Sequence, residues 1–143
     1  MPLSFRGEII DNFSIRFEGG RAVEVHAEQN EELLKTMVSM DEGAAMLGEC
    51  AFVPYDSPIR QSGIMFYETL FDENAACHLA LGRGFTNTVV DYDKYTNEEM
   101  KQMGINDSAI HVDFMIGTED MSIVGVKKDG SEFAIFENGV WAF

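Results

Sequence analysis

Phe71-Asp72-Glu73-Asn74-Ala75-Ala76-Cys77-His78-Leu79 sets an acid, Glu73, and an imidazole, His78, between two mostly apolar runs, residues 64–70 and 79–81. Polar side chains in such flanks either finish a turn or hold something. The stretch reads as a turn over Asp72-Glu73-Asn74 followed by a strand over residues 77–81, which ends at Gly82-Arg83-Gly84. Two further stretches have the same character. Leu47-Gly48-Glu49-Cys50-Ala51-Phe52-Val53 carries a single acid in an apolar run, and Ile110-His111-Val112-Asp113-Phe114-Met115-Ile116 alternates polar with apolar residues. Successive side chains on a strand point to opposite faces. Glu49, Ala51 and Val53 then share one face, with Cys50 and Phe52 on the other, and His111 and Asp113 share a face as well. An acid in an apolar strand is costly unless it is paired or metal-bound.

Working outward, residues 13–17 alternate cleanly and predict a half-buried strand. Glu18-Gly19-Gly20-Arg21 supplies a tight turn, and Val23-Glu24-Val25 returns the chain as a hairpin. Residues 6–10 are expected to form a strand before it. His26, just after the hairpin, reads as a surface or hydrogen-bonded histidine. Asn30 is expected to cap a helix whose first turn carries Glu31 and Glu32 and whose apolar stripe is Leu33, Leu34, Met37 and Val38. Residues 62–70 read as a short helix, and residues 89–95 as loop. Thr96-Asn97-Glu98-Glu99 is a capping box for a helix that ends at Gly104. Residues 121–126 and 132–136 read as strands joined by Lys127-Lys128-Asp129-Gly130. Asn138-Gly139 makes a second turn before a closing strand at residues 140–143. About eight short strands with two or three short helices imply an α+β fold, with a mainly antiparallel or mixed, curled, barrel-like sheet.

The length of 143 residues implies one domain, residues 1–143. The formal net charge of −15 argues against nucleic acid and against anionic membrane surfaces. No apolar run reaches the roughly 18–20 residues of a membrane helix, and no signal-peptide pattern opens the chain, so a cytoplasmic setting is expected. Two cysteines, Cys50 and Cys77, do not define a disulfide scaffold and read as reduced, buried thiols. Gly82-Arg83-Gly84 lacks the context of a phosphate loop.

Glu49, Glu73, His78, His111 and Asp113 together form a set of N and O donors suited to a borderline divalent ion such as zinc, cobalt or manganese. Taken singly, each is more often an ion-paired acid or a hydrogen-bonded core histidine. As a site, histidines with several carboxylates suit two-metal hydrolysis better than a closed structural zinc site, which favours cysteines.

The chain resembles the aminopeptidase T family of metallopeptidases, which includes the aminopeptidase S-type enzymes. The matching motifs are Leu47-Gly48-Glu49, Val53-Pro54-Tyr55-Asp56-Ser57-Pro58-Ile59, Leu70-Phe71-Asp72-Glu73-Asn74-Ala75 and His78-Leu79-Ala80, followed by Gly104-Ile105-Asn106-Asp107-Ser108. Residues 110–117 and the end, Asn138-Gly139-Val140-Trp141-Ala142-Phe143, complete the match. The resemblance implies a C-terminal domain of a longer aminopeptidase that removes N-terminal residues from peptides. It implies two divalent ions (zinc, cobalt, manganese or magnesium) and a homodimer. Glu49, Glu73, His78, His111 and Asp113 fall on the metal-site positions. Any of these acids beside the metal-bound water can serve as the general base, and Glu49 is the candidate taken here. A further ligand glutamate of the family falls before residue 1 of this sequence. Phe85 sits where the family often has a tyrosine. The alternative is a dimerisation domain without catalysis.

Overall fold

The computed structural model describes residues 1–143. The chain divides into two compact units, one of Met1–Cys50 with Leu79–Phe114 and one of Ala51–His78 with Met115–Phe143.

In the first unit, β1 (Leu3–Phe5), β2 (Glu8–Glu18) and β3 (Arg21–Gln29) form an antiparallel sheet in sequence order. Gly19-Gly20 makes the hairpin turn, with both glycines at positive φ. The alternation at residues 13–17 has its predicted effect. Phe13, Ile15 and Phe17 pack against the core, and opposite them so do Val25, Ala27 and Ala22. The strand expected at residues 6–10 is displaced. Arg6 and Gly7 take positive φ and turn the chain, so β1 lies earlier and residues 8–10 belong to the long β2. Helix α1 (Glu31–Val38) buries Leu34 and Met37 against Leu3, Ile10, Leu81, Ile110, Val112 and Phe114. Burying an aliphatic side chain of that size contributes about 1.5–3 kcal/mol. Asn30 does not cap α1 through its side chain. It sits in the left-handed region, and its amide donates to the Ile9 carbonyl (2.7 Å), tying helix to sheet.

A second sheet orders its strands β4 (Leu47–Ala51), β5 (His78–Gly82) and β6 (His111–Met115), with β5 in the middle. Its backbones approach closely. A methyl group on Gly48 would overlap the carbonyl of Gly82, and one on Gly82, at φ +98°, would overlap the carbonyl of Ile110. Helix α4 (Asn97–Gln102) carries the predicted capping box. The Thr96 hydroxyl accepts from the Glu99 amide (3.3 Å), and the Glu99 carboxylate accepts from the Thr96 amide (2.8 Å).

In the second unit, β7 (Ile123–Val126), β8 (Glu132–Glu137) and β9 (Val140–Trp141) form an antiparallel meander. Its turns fall at Asp129-Gly130 and at Asn138-Gly139, as expected. Phe136 is buried, with the rings of Trp141 and Phe52 at 4.5 and 6.2 Å. The helix expected at residues 62–70 is replaced by two shorter ones, α2 (Pro58–Ser62) and α3 (Thr69–Asp72). Ser57 caps α2 and Pro58 opens it, since a proline at the first helical position loses no hydrogen bond. Between the two helices Tyr67 takes a positive φ of 57°. Buried Asp72 holds this segment, its carboxylate accepting from the amides of Phe66 (2.9 Å) and Glu68 (3.1 Å).

The fold is thus α+β with antiparallel pairing, but it is not a barrel. It has three separate three-stranded sheets, whose outer strands each have one partner, whereas a barrel needs two for every strand. Of the two free thiols, Cys77 is buried against Val53, but Cys50 is exposed, contrary to expectation.

Candidate metal centre

Within the first unit the fold brings Glu49, His111 and Asp113 together. His111 opens β6, and its Nε2 lies 3.0 Å from Glu49 Oε2 and 3.3 Å from Asp113 Oδ1. The other ring nitrogen, Nδ1, is 2.7 Å from the Arg83 carbonyl. A carbonyl only accepts, so Nδ1 carries a hydrogen, and the neutral ring then presents the Nε2 lone pair to the carboxylates. Metal-binding histidines are usually held this way by a partner behind the ring. The ring of Phe85 packs against that of His111, with centroids 4.8 Å apart.

Burial differs among the three. The Asp113 side chain is 2% exposed, that of His111 23% and that of Glu49 24%. Asp113 Oδ1 is near enough to Nε2 for ion pairing, yet no hydrogen bond is aligned on it. A buried carboxylate oxygen of this kind is an apt position for a cation. Asp113 is the main cause that raises the His111 pKa to about 9; burial opposes it, while the Arg83 carbonyl and Glu49 add to it. With no metal bound, the ring is a cation between two acids. A divalent ion would replace that proton, because only the deprotonated nitrogen is a ligand. Glu49 and Asp113 offer ligand oxygens within 4.8 Å of each other. Nitrogen and carboxylate donors, a fixed tautomer and an unbonded buried oxygen all fit a divalent ion.

The other two expected ligands belong to the second unit. His78 is 4% exposed, and its Nδ1 lies 3.1 Å from the Ala76 carbonyl, the same tautomer-fixing arrangement as in His111. Glu73 is half-buried in the single helical turn Glu73–Ala75. Its neighbour Asp72 has the loop-holding role already described. His26 is exposed and ion-paired with Glu24 (3.0 Å) and Glu31 (3.5 Å), the surface role expected of it. The carbonyls of Arg83 and Ala76 were not foreseeable, since every residue carries one and only the folded path aims it.

The sequence profile of the thermophilic metalloproteases (M29) matches residues 1–141. The chain belongs to the M29 family. Aminopeptidase AmpS of Bacillus subtilis (strain 168) is 52% identical to this M29 chain over 142 residues, which cover 99% of it and 35% of the relative. Aminopeptidase T of Thermus aquaticus is 44% identical over 140 residues, 98% of this chain and 34% of its own. The solved structure of wild-type AmpT from Thermus thermophilus superposes with a TM-score of 0.87 at 41% identity, covering 100% of this chain and 35% of that one. The resemblance to aminopeptidases T and S is confirmed, and the M29 chain spans about a third of the length of these relatives. Membership of a metalloprotease family implies use of a divalent metal. No helix is long and apolar enough to cross a membrane.

Proposed function

We propose that this chain supplies the metal-ligand strands of a metal-dependent aminopeptidase, which removes N-terminal residues from peptides by two-metal-assisted hydrolysis in the cytoplasm. Glu49, Glu73, His78, His111 and Asp113 are the proposed ligands, and zinc, cobalt, manganese or magnesium the candidate ions. The observation that carries the reading is the single nitrogen of His111 facing two carboxylates, its tautomer set by the Arg83 carbonyl.

A pair of divalent ions, when bound, polarises the scissile carbonyl and acidifies the attacking water. The protein does the rest. Asp113, buried beside the ring, keeps His111 in place. Glu49, more exposed, takes the proton from the attacking water and delivers it to the departing amine. Phe85 covers one side of the His111 ring and, having no hydroxyl, donates no hydrogen bond to a developing oxyanion.

Calorimetric titration of metal-free protein with zinc or cobalt tests this, with His78→Ala and His111→Ala alongside. Two saturable equivalents, diminished in both variants, are expected. Absence of any specific binding would refute the reading. Release of N-terminal leucine from a peptide, abolished by chelator, is the companion assay.

A second reading, a homodimerisation domain without catalysis, draws on the exposure of Trp141 (43%) and Phe143 (89%). It requires a dimer in sedimentation equilibrium that chelator leaves unchanged.

A further inference from the structure

Asn106 is not among the metal-site donors, yet it holds the backbone behind them at two points. Its side-chain Nδ2 lies 2.6 Å from the Gly82 carbonyl and 2.9 Å from the Gly43 carbonyl. Carbonyls only accept, so the amide donates both of its hydrogens. The main-chain carbonyl of Asn106 accepts from the Gly84 amide at 2.9 Å. Between Gly82 and Gly84 stands Arg83, whose carbonyl fixes the tautomer of His111. A trans peptide is planar, with its C=O and N–H pointing in opposite directions. Two such planes flank the Arg83 Cα. The first carries the Gly82 carbonyl, held by Asn106 Nδ2, and the Arg83 amide, which donates to the Ile110 carbonyl (2.7 Å). The second carries the Gly84 amide, held by the Asn106 carbonyl, and the Arg83 carbonyl, which accepts from His111 Nδ1 at 2.7 Å. Each plane is thus bonded at both ends, and Asn106 takes part in both. The need is local: glycine restricts φ and ψ least of all residues, and Arg83 has one on either side. The bond to Gly43 ties this clamp to the turn that follows α1.

We infer that Asn106 is a positioning residue for the metal centre: it fixes the peptide planes around Arg83, and the Arg83 carbonyl in turn aims His111 Nε2 at Glu49 and Asp113. This role rests on the metal-dependent reading of that centre. It gives the Gly104-Ile105-Asn106-Asp107-Ser108 stretch a part in the chemistry without a ligand atom of its own. Coupling of this kind is reciprocal. If the Asn106 bonds favour metal on His111, metal on His111 favours the Asn106 bonds.

The test is zinc calorimetry on the full chain with Asn106→Ala, Asn106→Gln and Thr96→Ala, joined to NMR of the His111 ring in the zinc-loaded samples. Asn106→Ala should bind zinc about 10–100-fold more weakly, the usual effect of losing a partner behind a metal ligand. Its His111 Nδ1–H signal should broaden through exchange with water. Asn106→Gln keeps both donors and should restore affinity and signal. Thr96→Ala, which loosens the same unit through the cap of α4, should change neither. Unaltered affinity and signal in Asn106→Ala would overturn the inference, as would failure of Asn106→Gln to restore them. A matching loss in Thr96→Ala would also overturn it, since the effect would then be one of general stability. Should Asn106→Ala fail to fold, the unaltered chain decides. Zinc should slow hydrogen exchange at the Gly84 amide and at Asn106 Nδ2 more than at the Glu99 amide of the capping box, and equal slowing would overturn the role. Absence of zinc binding by the unaltered chain removes the metal reading itself, whereas binding that Asn106→Ala leaves untouched removes only the part given to Asn106.

Discussion

Nε2 of His111 faces Glu49 and Asp113, and its pKa, raised to about 9 chiefly by Asp113, means that a proton occupies the nitrogen proposed as a metal ligand. Metal uptake between pH 7 and 8 should therefore release close to one proton from this ring. Calorimetric titrations in two buffers of different ionisation enthalpy measure it; identical apparent enthalpies would contradict the arrangement. The same pKa shapes the stability of the metal-free protein. A histidine raised from 6.5 to about 9 in the fold gives stability that is fully present below about pH 6.5 and lost as pH climbs through 9. The difference in melting temperature between the metal-free protein and His111→Gln should shrink across that window, and a constant difference would rule the linkage out. Much of this was legible in the sequence. Two-residue alternation put His111 and Asp113 on one face, and an acid in an apolar run marked Glu49. The Arg83 carbonyl was hidden because nothing in a residue's identity says where its backbone will point.

Among the elements, the local signals were the readable ones. The capping box at Thr96 and the glycine-containing hairpin turns are written in contiguous residues, and they formed where expected. Thr96→Ala should cost about 0.5–2 kcal/mol, the usual loss of an N-cap, and Asp72→Ala about 1–3 kcal/mol, because two amides lose their acceptor. Urea denaturation measures both, and an unchanged midpoint for Asp72→Ala would show that its carboxylate does not hold the loop. The unreadable parts depended on distant partners or on unusual backbone. Residues 62–70 looked helical by composition, but a left-handed Tyr67 and the reach of Asp72 break the segment in two. Asn30 looked like a cap, yet its amide is engaged by the Ile9 carbonyl, far away in sequence. The barrel expectation failed for a related reason: strand count is local, while closure depends on which strands pair.

The whole molecule carries a net charge of −15, so its folded state works against its own repulsion. Raising ionic strength from about 0.01 M to about 0.15 M shortens the Debye length from about 30 to about 8 Å and should raise the melting temperature of the metal-free protein. A flat or falling response would mean that specific ion pairs outweigh the general repulsion. Among these acids only a few are argued to do chemistry, and a systematic substitution survey of the chain would be the natural way to sort them. The close backbone approach at Gly48 and Gly82 complicates such a survey. Both positions would register as intolerant as their neighbour Glu49, although neither glycine has a side chain to offer a substrate or an ion. On the peptidase proposal, loss of activity in this sheet would have two origins, one chemical and one a matter of room. Proteins altered at the glycines would lose their fold and their function together, while a carboxylate exchanged for its amide would keep the first and forfeit the second.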